Sequence, residues 1–432
     1  AQYNDFFKGI SFVAYKLVQE VWASRSPIYS NPWKKALLGD IKLSSGSYNN
    51  EVINDLSLQK DSGAKCVPDA FPCTVYLNGD FYGVFNWALK KHRDNYHLNK
   101  SSARNIHLDG GSHPLESPLD WTKFEIRNPK GLLTKIPYKG GFEPYDGDKP
   151  KELLDSDTEG YDPSNKNHVL SDKVKRSVLT FNSMAHVLNS KTQEDGGDEF
   201  LNEHYDLENL IDFYVLQYVL ADEDIANNWQ WVTYDGVKWF VCDYDKDRSF
   251  GQLSGCPGTR TAESMLNPVN VSSNDSPFKY LYKYHKSEIK ERYLELKKIG
   301  LFNSNHVISL VKKWYDRFSL EDIKREFKKW TESPSNRDDY VDRRYWKITP
   351  NYIRAPTNNY DAEKVYQVGD QCAYGIARIT VFECIKETQG NPPVTKFYNN
   401  IPYDLGYRDS IWRLVKYIQD RFNYLDNEIN KM

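Results

Sequence analysis

The segment VCDYDKDRSFG, residues 241–251, sets carboxylates at every second position, Asp243, Asp245 and Asp247, and closes on Phe250-Gly251. In an extended chain residues i and i+2 face the same side, so the three converge if the strand runs that far. Carboxylates brought together repel one another, and a hard divalent cation with oxygen ligands is their natural partner. An EF-hand loop is excluded: counted from Asp243, its sixth and twelfth positions are Arg248 and Ser254, where Gly and Glu are required. The competing reading is a solvated turn after a strand.

The preceding residues favour the cation. ADEDIANN, residues 221–228, supplies Asp222, Glu223, Asp224, Asn227 and Asn228. The chain therefore runs from an apolar helix through acids and Asn into an Asp-Gly hairpin, and then into Asp-x-Asp-x-x-Phe-Gly. Phosphotransferases of the protein-kinase type use this order. A loop Asp orients the hydroxyl nucleophile, an Asn shortly after it holds metal, and a second metal-binding Asp stands beside a Phe-Gly. The hairpin is what brings the two loops together. Asp222 to Asn227 is the five-residue step of a kinase catalytic loop and Asp224 to Asn228 is one shorter, so spacing leaves both acids open.

A second candidate, HRDNYHLN at His92–Asn99, fits H-R-D-x-x-x-x-N. It lacks the Gly-rich loop and strand lysine that should precede it, and the D-F-G and A-P-E that should follow. It reads as a basic helix start after a hairpin, in which Lys90, Lys91 and Arg93 are candidates to reach phosphates. No G-x-S-x-G, P-loop or H-E-x-x-H is present.

The elements that must position these residues follow from hydrophobic period and turn chemistry. Asn4–Arg25 carries apolar residues at helical spacing. Pro72–Leu89 alternates around Asn78-Gly79-Asp80, a β-hairpin signal. Residues 104–165 are rich in Gly, Pro, Asp and Ser and read as a long loop. Tyr205–Asp224 is the strongest helix, with Asp206 as its N-cap. Asn228–Asp245 is two β-rich runs joined by Asp235-Gly236. Charged amphipathic helices continue through Trp330. Near residue 350 the composition shifts to short strands, turns and Pro, and the last segment returns to helix.

Composition narrows the function classes. Fifty-seven basic residues against 60 acidic ones give a net charge of −3, no electrostatic footprint for nucleic acid or for an anionic membrane surface. No stretch reaches the roughly 18 apolar residues of a membrane span. The six cysteines contain no C-x-x-C pair, which speaks against zinc. Cys66 with Cys73, and Cys372 with Cys384, are either disulfides or buried thiols.

On these residues the chain resembles the CotH (spore coat protein H) kinase-like family in its gut-bacterial and phage form. FPCTVYLNGDFYGVFNWALKKHRDNY is similar to that family's LNG hairpin, and NNWQWVTYDGVKWFVCDYDKDRSFG to its Asn…DG…D-x-D-x-[ST]-F-G segment. ERYLELKKIGLF and VKYIQDRFNYLDN are similar to its C-terminal helices. The resemblance implies an α+β, atypical protein-kinase-like fold that uses ATP and Mg²⁺ or another divalent cation to phosphorylate Ser or Thr of a partner protein. Carried over, Asp222 or Asp224 is the catalytic acid. Asp245 and Asp247 hold metal together with Asn228 or Asn227. The acid that often follows the family's LNG hairpin is replaced here by Leu89-Lys90-Lys91. The family's N-terminal strands, with their Arg-Gly-x-x-Ser segment and lysine, are expected to be missing, which keeps a pseudokinase open.

Val365–Pro393 is similar to small chitin-binding-type carbohydrate-binding modules. Tyr366, Tyr374, Phe397 and Tyr398 are then candidates to stack on sugar rings, against the competing reading of a structural β-ornament whose aromatics are its own core, since so small a unit needs them inside. The expected organisation is a CotH-like domain over 1–350, an inserted all-β module over 351–405, and a helix over 406–432 that returns to the first domain. Two functions are in play: a surface- or coat-protein kinase, or an inactive surface or virion scaffold that binds glycan through the module. Both put the protein outside the cell, on its surface or on a virion.

Overall fold

A computed structural model describes residues 9–26, 30–38, 63–89, 91–99, 102, 104–110, 124–128, 181, 184–222, 229–251, 262–263, 276–319, 321–322, 325–326, 342, 344–348, 360–374, 380–393, 397–398, 401–402 and 411–432. Its elements mix helix and sheet in an α+β arrangement. In chain order the helices are α1 (Ile10–Arg25), α2 (Pro32–Leu38), α3 (Gly197–His204), α4 (Leu207–Leu220), α5 (Pro277–Tyr284), α6 (Lys286–Lys298), α7 (Ser304–Tyr315) and α8 (Ile411–Lys431). The strands are β1 (Ala70–Leu77), β2 (Asp80–Ala88), β3 (Ile106–Gly110), β4 (Phe124–Asn128), β5 (Gln230–Thr233), β6 (Trp239–Cys242), β7 (Trp346–Ile348), β8 (Gln371–Tyr374), β9 (Thr380–Cys384), β10 (Phe397–Tyr398) and β11 (Ile401–Pro402). Among the described residues no helix is long and apolar enough to cross a membrane.

The β1–β2 hairpin forms as its turn dictates. Asn78 and Gly79 both take positive φ, 53° and 88°, the conformation a two-residue hairpin loop needs. The Asp235-Gly236 hairpin also forms, with a longer loop. Asp235 Oδ1 accepts from the Val237 and Lys238 amides at 2.8 Å each, so the side chain organises residues 234–238.

The stretch 104–165 departs from its expected loop character. It contributes β3 and β4, and β3 is an inner strand of the antiparallel sheet β4-β3-β5-β6. The short run Ile106–Gly110 is strand because it pairs with the buried residues Trp231 and Val232, a cross-strand gain that local composition does not reveal.

Helix α4 is the axis of the molecule. Asp206 caps it by accepting from the Asn209 amide at 2.8 Å. From Asn209 to Leu220 every residue is buried, because α1, α5, α6, α8 and β6 all pack around it. It runs beside β6, whose edge it covers: Asn209 donates to Val241 O at 3.0 Å and accepts from Val241 N at 2.7 Å. Asp212 ties α4 to α1 and α6 by accepting from Arg25 Nε at 2.8 Å and Arg292 Nε at 2.7 Å.

The C-terminal helix α8 joins this core. Leu414, Ile418, Phe422, Leu425 and Ile429 are buried in it. Arg421 donates to Tyr218 O at 2.7 Å and to Ala262 O at 2.6 Å. A separate cluster of Trp346, Tyr366, Cys372, Phe382 and Cys384 fills a small sheet of order β7-β9-β8. That sheet includes Trp346–Ile348, ahead of residue 351. Cys66, Cys73, Cys242, Cys372 and Cys384 are free thiols, and Cys256 lies outside the described residues.

Candidate functional site

The antiparallel register sets Asp109, Gln230 and Cys242 side by side at one end of the four-stranded sheet. The segments leaving α4 and β6 emerge at this same end, and two ties hold them together. Lys246 donates to Asp222 Oδ2 at 2.8 Å and lies 2.8 Å from Asp243 Oδ1. The Phe250 amide donates to Leu220 O at 2.6 Å, capping the C-terminal turn of α4.

Asp222, Asp243 and Lys246 are all buried, at 0, 1 and 0% exposure. Burial alone pushes the Lys246 ammonium down, but Asp222 first and then Asp243 outweigh it, so its pKa is raised. Gln217 of α4 adds a hydrogen bond to Asp243 Oδ1 at 3.1 Å. Two carboxylates against one ammonium leave a net negative charge in the clasp. Asp243 Oδ2 is buried and accepts no hydrogen bond among the described residues.

The three aspartates do not form one strand face. Strand β6 ends at Cys242, and Asp245 adopts φ 50°, in the left-handed region, which breaks the two-residue alternation. Asp243 therefore turns inward onto Lys246 and Gln217, a larger role than its place at the strand end suggests. Asp245 is part-exposed and Asp247 is 7% exposed. Among the described residues, no group of three His, Cys, Asp or Glu is placed to hold a metal ion.

Ala221, Asp245 and Phe250 all have positive φ, a cluster of backbone strain of the kind that surrounding packing must hold. Some of that packing comes from elsewhere in the chain. The buried Tyr15 hydroxyl of α1 contacts the Asp245–Lys246 backbone, and its pKa is driven well up by burial, then by Asp245 and Tyr244. Gly251 packs against the Tyr417 ring of α8.

Sequence reasoning missed a second constellation on the same sheet end. Asp109 of β3 takes Lys91 on Oδ2 at 2.7 Å and also accepts from Arg127 and Gln230. Burial raises the Asp109 carboxyl, but Lys91, Gln230 and Arg127 outweigh it and hold its pKa below the ordinary value. Gln230 in turn accepts from His107 Nε2 at 2.8 Å. Burial lowers the His107 imidazole to about 4. The Lys91 ammonium sits 4.2 Å above the Tyr244 ring, linking this network to the Asp243–Asp247 loop. The acidic end of β3 lay inside a stretch that read as loop, so nothing local marked it.

The other expected site residues fall as follows. Asp222 is in the clasp and out of contact with solvent, so it is not poised as a base. Asp224, Asn227, Asn228 and Lys90 lie outside the described residues. Lys91 is held by Asp109 rather than projecting free. Arg93 begins a 3₁₀ turn, Arg93–Tyr96, beside His92 and Asp94. That turn is structural: Asn95 donates to Val67 O at 2.8 Å and accepts from Lys65 N at 3.2 Å, pinning residues 63–67. In the small sheet Tyr366 is 1% exposed, stacked within its own core on Tyr360, so its ring offers no face to a sugar. So small a cluster has to keep its aromatics inside. The side chains of Tyr374, Phe397 and Tyr398 lie outside the described ones.

No curated protein matches the chain. A family model described as CotH kinase protein matches residues 53–355, well over half of the sequence, and spans both loops of the sheet-end site. The chain that builds this clasp of Asp222, Lys246 and Asp243 belongs to the CotH kinase family.

Proposed function

We propose that the chain is a phosphotransferase domain that moves the ATP γ-phosphoryl group to a Ser or Thr hydroxyl of a surface or coat protein, with the end of the β4-β3-β5-β6 sheet as its reacting face. The observation that carries this reading is the Lys246 clasp. It fastens the segment after α4 to the Asp-x-Asp-x-x-Phe-Gly loop, so that two loops separated by the β5–β6 hairpin share one site. Kinase-type catalysis is mostly positioning and electrostatic stabilisation, and this is the arrangement it requires.

The carboxylates of Asp245 and Asp247 and the buried Asp243 Oδ2 are oxygen donors of the kind a hard divalent cation takes, although among the described residues no three acids are gathered round one point. Asp245 and Asp247 would hold it. Because Asp222 is neutralised by Lys246, the role of orienting the acceptor hydroxyl passes to Asp224. When bound, ATP and the cation supply the phosphoryl group and the charge that offsets it. Lys91, with Arg127 beside it on Asp109, supplies positive charge at the same sheet end.

A second reading is favoured by one observation. Asp222, the acid of the expected catalytic loop that lies among the described residues, is engaged in a buried ion pair. A chain in which the clasp serves only the fold would be a non-catalytic scaffold on a surface or virion.

The test is incubation of the full chain with γ-labelled ATP and Mg²⁺ or Mn²⁺, comparing wild type with Asp245→Ala, Asp247→Ala and Asp224→Ala. Label transfer lost in all three variants is the expected result. No transfer by wild type, with no nucleotide-dependent rise in Tm, leaves the scaffold.

A further inference from the structure

Cys66 and Cys242 are far apart in the chain and meet in the core. Both are fully buried, and both are free thiols. Along β6 alternate residues face one side, so Phe240 and Cys242 point the same way. The Phe240 ring lies against Tyr234, at 6.0 Å and 69°, and the Tyr234 hydroxyl lies 3.7 Å from Cys66 Sγ. On this face the two thiols are in hydrogen-bonding contact. Their neighbours feel both of them: burial, and then the two thiols, push the Tyr96 and Tyr234 hydroxyls well up. Cys73, by contrast, stands opposite Phe85 in the β1–β2 hairpin. Cys66 also holds φ 58°, which a non-glycine residue keeps only where its surroundings fix it. Its amide donates to Asn95 O at 2.9 Å, in the 3₁₀ turn that pins residues 63–67.

We propose that Cys66 and Cys242 are a disulfide-forming pair that, once oxidised, fastens the segment 63–67 to the end of β6. A thiol is a weak donor and a weak acceptor, so the reduced pair gains little from its contact. A covalent bond between residues so far apart instead removes much of the freedom of the unfolded chain. The bond also borders the candidate site. Cys242 is followed directly by Asp243, which Lys246 holds in the clasp. Oxidation tethers the strand end from which the Asp243–Gly251 loop departs.

The oxidant is a small disulfide such as oxidised glutathione. One cysteine thiolate attacks it, one glutathione thiolate leaves, and a mixed disulfide remains. The second cysteine thiolate attacks that bond, and the second glutathione thiolate leaves. Two electrons pass to the glutathione, whose two thiolates take up the two protons given by the cysteines. Burial first, and then Cys66, raise the Cys242 thiol well above its ordinary pKa, so the folded reduced pair reacts slowly. The bond is therefore made while the chain folds, before the core closes over it. The inference does not rest on the phosphotransferase reading, and its test uses no nucleotide.

The full chain is refolded from urea in a mixture of reduced and oxidised glutathione, and in parallel with dithiothreitol. Free thiols are then alkylated in denaturant and the peptides mapped by mass spectrometry. A linked Cys66–Cys242 peptide is expected as the predominant disulfide of the first sample and is expected to be missing from the second. The oxidised protein should unfold about 5 °C or more above the reduced one. That rise should vanish in Cys66→Ala and in Cys242→Ala and persist in Cys73→Ala. Each variant is compared with its own reduced form, so lost packing cancels, and either of the first two serves if the other does not fold. Recovery of Cys66 and Cys242 both alkylated after oxidative refolding, or their linkage to other cysteines instead, overturns the proposal. So does a linked form whose Tm is no higher than that of the reduced protein.

Discussion

Asp222 and Lys246 form an ion pair at 2.8 Å in which neither side chain is exposed at all. The pair joins the C-terminal end of α4 to the loop after β6, and Asp243 completes it from the other side. A buried pair of this kind need not add net stability over an apolar substitute, but breaking one partner leaves the other charge uncompensated.

Lys246→Met is therefore expected to cost about 3–5 kcal/mol in urea unfolding, and Lys246→Met with Asp222→Leu to recover part of that. A single variant within about 1 kcal/mol of wild type would show that the clasp does not hold the loops. The sign with pH is set by the raised Lys246 pKa. The clasp contributes fully below the ordinary lysine value, about 10.4, and is lost only as the pH rises through the folded value. Its contribution should be flat from pH 6 to 9.

His107 supplies the opposite pH window. Its folded pKa is lowered by burial to about 4, with Asp109 raising it and Arg127 and Lys91 lowering it. The unfolded imidazole takes up its proton near pH 6.5, whereas the folded one resists. Stability is thus full above about pH 6.5 and falls as the pH drops towards 4, by about 3 kcal/mol. Comparing unfolding free energies of wild type and His107→Gln between pH 7.5 and 4.5 isolates this contribution. Parallel curves for the two proteins would contradict it.

Gly251 has φ 76°, and a Cβ placed there would lie 2.5 Å from the Tyr417 ring. Gly251→Ala should destabilise the protein by about 1–3 kcal/mol, from overpacking and from a strained backbone. Gly251→Ala with Tyr417→Leu should recover the packing share alone. Thermal unfolding of the single and double variants reads both terms, and equal Tm values for wild type and Gly251→Ala would show that α8 does not press on the Phe-Gly turn.

Trp346 is fully buried in the small cluster rather than in the main core. Trp346→Ala should cost that cluster about 3–5 kcal/mol. Hydrogen exchange should rise at the Tyr366 and Cys384 amides, which donate to Thr388 O and Asp370 O, while the amides of α4 stay protected. Equal acceleration in α4 would mean that the two cores unfold together.

The elements around the site were legible where local chemistry decides them. Asp206 caps α4 because a side-chain carboxylate meets an orphan amide three residues on, whatever surrounds it. Asn78-Gly79 turns β1 into β2 because those residues tolerate positive φ. β3 was not legible, since five residues in a Gly- and Pro-rich stretch become strand only when β5 is there to pair with them. The sequence left Tyr366 open to a sugar or to a small core of its own, and burial in the Trp346 cluster, not spacing, decides for the core.

The sequence by itself determined that Asp222–Asn228 and Asp243–Gly251 are the segments of interest and that a hairpin separates them, because residue type and turn chemistry are local. The tertiary structure alone decided which acids are spent. Asp243 turns inward, Lys246 enters between Asp243 and Asp222, and the carboxylates that a two-residue period set on one face are divided between a buried clasp, a part-exposed Asp245 and a buried Asp247. A lysine within an Asp-x-Asp run can pair with either neighbour or with neither. Only the packing of α4 against β6 fixes its partners.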